Sequence, residues 1–182
     1  MAVRFAGAAA PIVLLGFMGC GKSTVGRVLG QRLGWRFCDL DDCIEAAAGT
    51  RIADIFAQRG EPAYRDLEHR ELLNALGAAA LRPTVLALGG GTYAQARNWA
   101  PIRAAGARTV FLDVPIEELL LRCAAMGNRP LFRDEASFRA LHAERLPAYR
   151  QAQHTVVAGA DAPAAVADRI MAALGAAFTV ER

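Results

Sequence analysis

Short runs of apolar residues alternate along this chain with longer stretches whose apolar positions recur at helical spacing. Ile12-Val13-Leu14-Leu15 reads as a buried strand that stops at Gly16. Lys22 to Leu33 follows as a helix, with Val25, Val28 and Leu29 along one side. Trp35 to Cys38, reaching Asp39, is a second strand. Asp41 to Ala48 and Ile52 to Gln58 are short helices, and Glu61-Pro62 opens a longer one through Leu67, Glu71, Leu72 and Leu76. Thr84 to Leu88 is a third strand, ended by Gly89-Gly90-Gly91. A helix over Ala94 to Ala105 leads to a fourth strand, Thr109 to Asp113, and a helix from Pro115 to about Ala124. Residues 125 to 134 lack periodicity and read as a loop. A helix from Glu135 to Leu146 or beyond, a fifth strand His154 to Val157, and a last helix capped by Asp161 complete the chain. Apolar strands alternating with helices predict an α/β protein: a three-layer α/β/α domain around a five-stranded parallel sheet. With no internal repeat and no linker, residues 1–182 form one domain.

Composition narrows the class. With 54% hydrophobic residues in 182, the chain is long and apolar enough to bury a core without disulfides or a structural metal, and too hydrophobic to be disordered. The net charge of +3 comes without any basic run, so neither nucleic acid nor a membrane surface is expected as a partner. Cys20, Cys38, Cys43 and Cys123 form no C-x-x-C pair, and His69, His142 and His154 complete no zinc spacing. Free thiols in a reducing compartment follow, with the histidines structural. The uncharged stretch after Arg4 is broken by Pro11 and by glycines, which argues against a leader or a membrane span and for a soluble, cytoplasmic protein.

The chemistry begins at Gly16-Phe17-Met18-Gly19-Cys20-Gly21-Lys22-Ser23, a G-x-x-x-x-G-K-[ST] string between a strand and a helix. Its glycines let the backbone curl with N–H groups facing inward, and the helix N-terminus adds partial positive charge. Lys22, the lone lysine in the chain, is placed to reach β- and γ-phosphates, and Ser23 to hold Mg²⁺. A nucleoside triphosphate bound with Mg²⁺ is the expectation, and the family resemblance given below implies that it is ATP, as co-substrate. Asp39, Asp41 and Asp42 come after the second strand, on the sheet edge where ligands sit. Asp39 suits Mg²⁺ held through water, Asp41 reaches towards an acceptor hydroxyl, and Asp42 is the natural helix cap of the three.

These residues and several further blocks resemble the shikimate kinase family. The blocks are Gly16 to Thr24, Asp39-Leu40-Asp41, Ile52-Ala53-Asp54-Ile55-Phe56 leading into Tyr64-Arg65-Asp66-Leu67-Glu68, Leu88-Gly89-Gly90-Gly91, Asn128-Arg129-Pro130-Leu131 and Arg145-Leu146-Pro147-Ala148-Tyr149. The resemblance spans about residues 11 to 170. It implies a P-loop fold of the nucleoside monophosphate kinase type with a mobile lid over about 125–137. The implied reaction is ATP-dependent phosphorylation of the 3-hydroxyl of shikimate, on the route to chorismate and the aromatic amino acids, by a monomer. It further implies that Gly19, Cys20, Gly21, Lys22, Ser23 and Thr24 hold the nucleotide with Arg122 and Arg129. Asp41, Arg65, Gly89, Gly90, Gly91 and Arg145 would hold shikimate, with Phe56 and Tyr64 walling the pocket. Lys22, Asp41 and Arg129 would carry catalysis, and Ser23 and Asp39 the metal. Two guanidinium forks suit a carboxylate, and Glu68, three residues after Arg65, can orient one of them.

The sequence departs from the family before Pro163, where Gly159-Ala160-Asp161-Ala162 lacks an arginine that many members stack on adenine, and the segment from Arg129 to Arg145 is short. Cys20, near a helix N-terminus, is a candidate for oxidation. Two other readings stay open: a kinase of another polyhydroxy acid such as gluconate, and a nucleotide-binding module that has lost catalysis.

Overall fold

A computed structural model of the chain describes residues 10–126 and 134–175. The strands are β1 (Ile12–Leu15), β2 (Arg36–Asp39), β3 (Thr84–Ala87), β4 (Arg108–Asp113) and β5 (His154–Val157). They form one sheet in the order β2-β3-β1-β4-β5, with every neighbouring pair parallel. β1 is the central strand, its four residues wholly buried, which is why it reads as an unbroken apolar run rather than an alternating one.

The helices are α1 (Lys22–Leu33), α2 (Leu40–Ala48), α3 (Ile52–Ala79), α4 (Trp99–Ala104), α5 (Ile116–Met126), α6 (Glu135–Tyr149) and α7 (Pro163–Ala173). α1 lies on β1, β2 and β3 and against α7. Gly26 on α1 allows that approach: a Cβ there would stand 2.4 Å from the Phe37 ring of β2. α3 contains the two helices expected from the sequence, joined at Gly60, whose φ of 74° breaks the helical run before Pro62. The chain moves from β1 out to β2, returns through β3, then crosses to β4, so β1 borders the crevice at which open α/β sheets bind ligands.

Four details differ from the sequence expectations. The helix expected over Ala94 to Ala105 starts later, as a 3₁₀ turn at Ala96–Asn98 followed by α4. Asn98 Nδ2 and Trp99 Nε1 donate to the Thr92 and Tyr93 carbonyls, which fastens the preceding segment in turns. The cap of α2 is Asp39, not Asp42. Its Oδ1 accepts from the Asp41 amide at 3.1 Å, while Asp42 faces Arg27 at 3.9 Å. Asp161 does not cap α7. Ala162 holds the cap position without a side-chain bond, Pro163 starts the helix, and Asp161 pairs with Arg169. The expected loop over 125–134 loses both ends: α5 runs on through Met126, and Asp134 caps α6 by accepting from Ser137 N at 2.7 Å. The expected lid, about 125–137, therefore overlaps α5 and the first turn of α6, while residues 127–133, Arg129 among them, lie outside the described residues.

Candidate active site

The loop between β1 and α1 is shaped by three glycines with positive φ: Gly16 (143°), Gly19 (80°) and Gly21 (93°). Gly21 occupies the N-cap of α1 with no side-chain cap, and the first turn of α1 carries no acidic residue. Its amides and positive end are thus left for an anion from outside the helix. Lys22 curls back over the loop, donating to the Gly16 carbonyl at 2.9 Å and the Phe17 carbonyl at 3.0 Å, with Cys20 Sγ at 3.6 Å. Cys20 itself is 2% exposed, covered by its own loop, so it offers little to an oxidant.

Ser23 Oγ donates to Asp39 Oδ2 at 2.5 Å, which joins the start of α1 to the end of β2. Among the described residues no group of three or more His, Cys, Asp and Glu side chains is gathered to hold a metal ion. A hydroxyl and one carboxylate fit Mg²⁺, which keeps waters and phosphate oxygens as its other ligands. Asp39 holds Ser23 with one oxygen and caps α2 with the other, and that cap sets where Asp41 stands.

The acceptor side assembles around Gly89-Gly90-Gly91, immediately beyond β3. A Cβ on Gly89 would lie 2.8 Å from Asp41 Oδ1. One on Gly90 would lie 3.5 Å from Met18 N in the phosphate loop and 3.6 Å from Arg145 Nη1. One on Gly91 would lie 2.6 Å from Arg65 Nη1. Three successive residues, spaced about 3.8 Å apart, thus touch in turn the carboxylate and both arginines expected for the acceptor, with the phosphate loop alongside. Glycine gives room for this approach: a methyl group at Gly89 or Gly91 would force Asp41 or Arg65 to shift.

Arg65 is 10% exposed at its side chain, and three of its five N–H donors are engaged by glutamates. Nη1 donates to Glu68 Oε2 at 2.9 Å, while Nε and Nη2 donate to Glu61 Oε1 at 3.1 and 2.9 Å. Burial works to lower its pKa; the charge and hydrogen bond of Glu68, with the Glu61 bond, outweigh that and raise it. Glu68 is wholly buried and also accepts from Tyr64 Oη at 3.2 Å and Thr92 Oγ1 at 2.7 Å. Burial, then the Glu68 charge, pushes the Tyr64 phenol well above its ordinary range, so it stays a donor. The Phe56 ring packs against that of Tyr64, with centroids 4.4 Å apart. Behind this layer Asn98 donates to the Thr92 carbonyl and faces His69 Nδ1 at 2.6 Å; with its amide so turned, His69 Nδ1 carries the proton. His69 is held by Asn98, and His142 packs edge-on against Phe17 with ring centroids 5.1 Å apart.

Arg145 on α6 is buried, with its guanidinium 5.9 Å from the centre of the Phe17 ring. Tyr149, one turn on, donates its hydroxyl to the Gly90 carbonyl and ties α6 to the glycine segment. Arg122 on α5 donates to the Gly19 carbonyl at 3.2 Å and the Gly159 carbonyl at 2.5 Å, with Glu118 at 2.9 Å. It straps the phosphate loop to the segment after β5 that lacks the family's adenine arginine. Cys38, at the end of β2, touches Cys43 on α2 with sulphurs 3.1 Å apart; burial and then that contact push the Cys38 thiol up to about 12.

Sequence reasoning missed Glu61, Thr92, Asn98 and Tyr149. Glu61 stands four residues before Arg65, the spacing of a helical ion pair. Tyr149 closes the last of the blocks without a role of its own, Thr92 follows the glycines, and Asn98 carried no signal because its His69 partner lies on another element, α3.

A central parallel sheet, a phosphate loop on β1 and an acceptor side built beyond its neighbour β3 define a P-loop kinase of small molecules. A family model described as shikimate kinase matches residues 18–175. The chain is 45% identical over 167 residues to shikimate kinase of Caulobacter vibrioides, covering 90% of this chain and 81% of that one. Its structure is similar to that of shikimate kinase from Acinetobacter baumannii in complex with shikimate, with a TM-score of 0.80, 36% identity, and coverage of 89% and 90% of the two chains. A gluconokinase from Sinorhizobium meliloti shares the fold alone, at a TM-score of 0.62 and 17% identity over 95% of each chain. The chain belongs to the shikimate kinase family.

Proposed function

We propose that this protein transfers the γ-phosphoryl group of ATP to the 3-hydroxyl of shikimate, giving shikimate 3-phosphate and ADP. The observation that supports it most is the glycine segment that sets Asp41, Arg145 and Arg65 in a row beside the phosphate loop. Arg65 and Arg145 fit the ring carboxylate, and Asp41 fits the hydroxyls at the other end, so the acceptor oxygen faces the polyphosphate. That oxygen attacks the γ-phosphorus as the bond to the ADP oxygen breaks, and Asp41 takes the hydroxyl proton. Lys22 releases the Gly16 and Phe17 carbonyls to reach the β- and γ-oxygens, and the amides of Gly19 to Thr24 receive the remaining charge. Mg²⁺, with Ser23 and Asp39 as its protein ligands, supplies further charge neutralisation when bound. Arg122 is assigned to the adenine side and Arg129 to the transferring group.

Among the described residues no helix is long and apolar enough to cross a membrane. The proposal has the enzyme acting as a monomer in the cytoplasm. The test is an ADP-release assay with Mg·ATP that compares shikimate with gluconate. Turnover is expected with shikimate alone, and its absence refutes the reading.

A further inference from the structure

The mechanism leaves unused a pair of thiols set astride its carboxylates. Cys38 is buried at the end of β2, and Cys43 is half-buried on the first turns of α2; their sulphurs are 3.1 Å apart. Between them runs Asp39-Leu40-Asp41-Asp42, so the pair brackets both the Ser23 partner and the acceptor carboxylate. A disulfide has its sulphurs about 2.05 Å apart, so closure asks for a movement of only about 1 Å. The other thiols lack this arrangement: Cys20 lies under the phosphate loop, and Cys123 is buried at the Met18 carbonyl.

We propose that Cys38 and Cys43 form a reversible oxidation site, a dithiol that a hydroperoxide converts to a disulfide and so disables the enzyme. The more accessible Cys43 sulphur attacks a peroxide oxygen; the O–O bond breaks, an alcohol or water leaves, and Cys43 becomes a sulfenic acid. The Cys38 sulphur then attacks the Cys43 sulphur, the S–O bond breaks, and water leaves with the Cys38 proton. In sum, two thiols and one hydroperoxide give a disulfide, an alcohol (or water) and water. A dithiol reductant reverses it by exchange. The new bond spans the corner at which Asp39 caps α2 and holds Ser23. A shift of about 1 Å there moves Asp41 relative to the phosphate loop, and displacements of that size cost about 100-fold in rate.

The bond can be read on the protein alone. Arg36 and Arg51 flank one tryptic peptide, Phe37 to Arg51, that holds both cysteines and no other. Titration of the folded protein with hydrogen peroxide is expected to lower that peptide's mass by two hydrogens and to block its alkylation, both reversed by dithiothreitol. Shikimate-dependent turnover should fall at least tenfold in step and return on reduction. Cys43→Ser and Cys38→Ser should keep their basal activity and lose the reversible inhibition. A peptide that stays alkylatable, an oxidised enzyme with full activity, or Cys43→Ser inhibited and rescued like the parent would each overturn the proposal. The loss of activity rests on the function proposed above. An untreated protein without shikimate turnover defeats that function, whereas a missing disulfide defeats only this inference.

Discussion

Glu68 offers the sharpest test of how the acceptor site is held. It is wholly buried, and its two oxygens take three donors: Arg65 Nη1, Tyr64 Oη and Thr92 Oγ1. Glu68→Ala leaves the guanidinium of Arg65, only 10% exposed, with Glu61 as its remaining partner, and leaves two buried hydroxyls without their acceptor. Breaking a buried ion pair from one side costs about 3–5 kcal/mol. In a chain of this size 1 kcal/mol moves the melting temperature by about 2–4 °C, so a fall of roughly 6–20 °C is expected. The same loss frees Arg65 to swing and Thr92 to release the glycine segment, so KM for shikimate should rise more than tenfold while KM for ATP changes little. Glu61 gives the contrast: its side chain is 60% exposed, and Glu61→Gln should cost less than about 1 kcal/mol, although it bonds the same arginine. Thermal melts followed by initial-rate kinetics at 25 °C check both. A Glu68→Ala protein that melts within 2 °C of the parent with an unchanged shikimate KM would refute the view that this buried carboxylate organises the pocket.

Gly91→Ala would put a methyl group 2.6 Å from Arg65 Nη1, and should raise the shikimate KM strongly while nucleotide binding, followed by isothermal titration calorimetry, stays as it was. Asp41→Ala should abolish phosphoryl transfer and leave ATP affinity largely intact; full activity in that variant would remove Asp41 from the proposed proton transfer. Burial, with Arg150 adding to it and Asp113 opposing, holds His142 below its ordinary value. The unfolded chain therefore takes up this proton at a higher pH than the folded one, so stability from this group is present above about pH 6.5 and declines as pH falls below it. Urea melts between pH 5 and 7.5 should show that slope, and His142→Phe, which keeps the edge contact with Phe17, should flatten it.

The strands and the phosphate loop were legible because their signals are local. A parallel strand buried on both faces must be apolar throughout, as β1 is, and a backbone that wraps phosphate must place glycines at positions such as Gly19 and Gly21, where φ is positive. The paired arginines and Asp41 could be named from their blocks, yet no spacing in the chain says that they meet. That meeting depends on β3 lying next to β1, which carries Gly89 to Gly91 into contact with residues from α2, α3 and α6 at once.

Caps were the weakest part of the reading for a related reason. Three aspartates after β2 all suit a helix start, and the choice of Asp39 comes from Ser23 on another element, which fixes that carboxylate in place. Likewise Asp161 had a partner two turns along in Arg169, and the helix after the glycines began late because Asn98 and Trp99 turn back to bond the chain before them. The sequence by itself determined which segments are strand, helix and phosphate loop, since periodicity and glycine placement act over a few residues. Only the tertiary structure decided which carboxylate serves which partner, because buried hydrogen bonds go to whatever donor the packing brings within 3 Å, and sequence distance does not limit that choice.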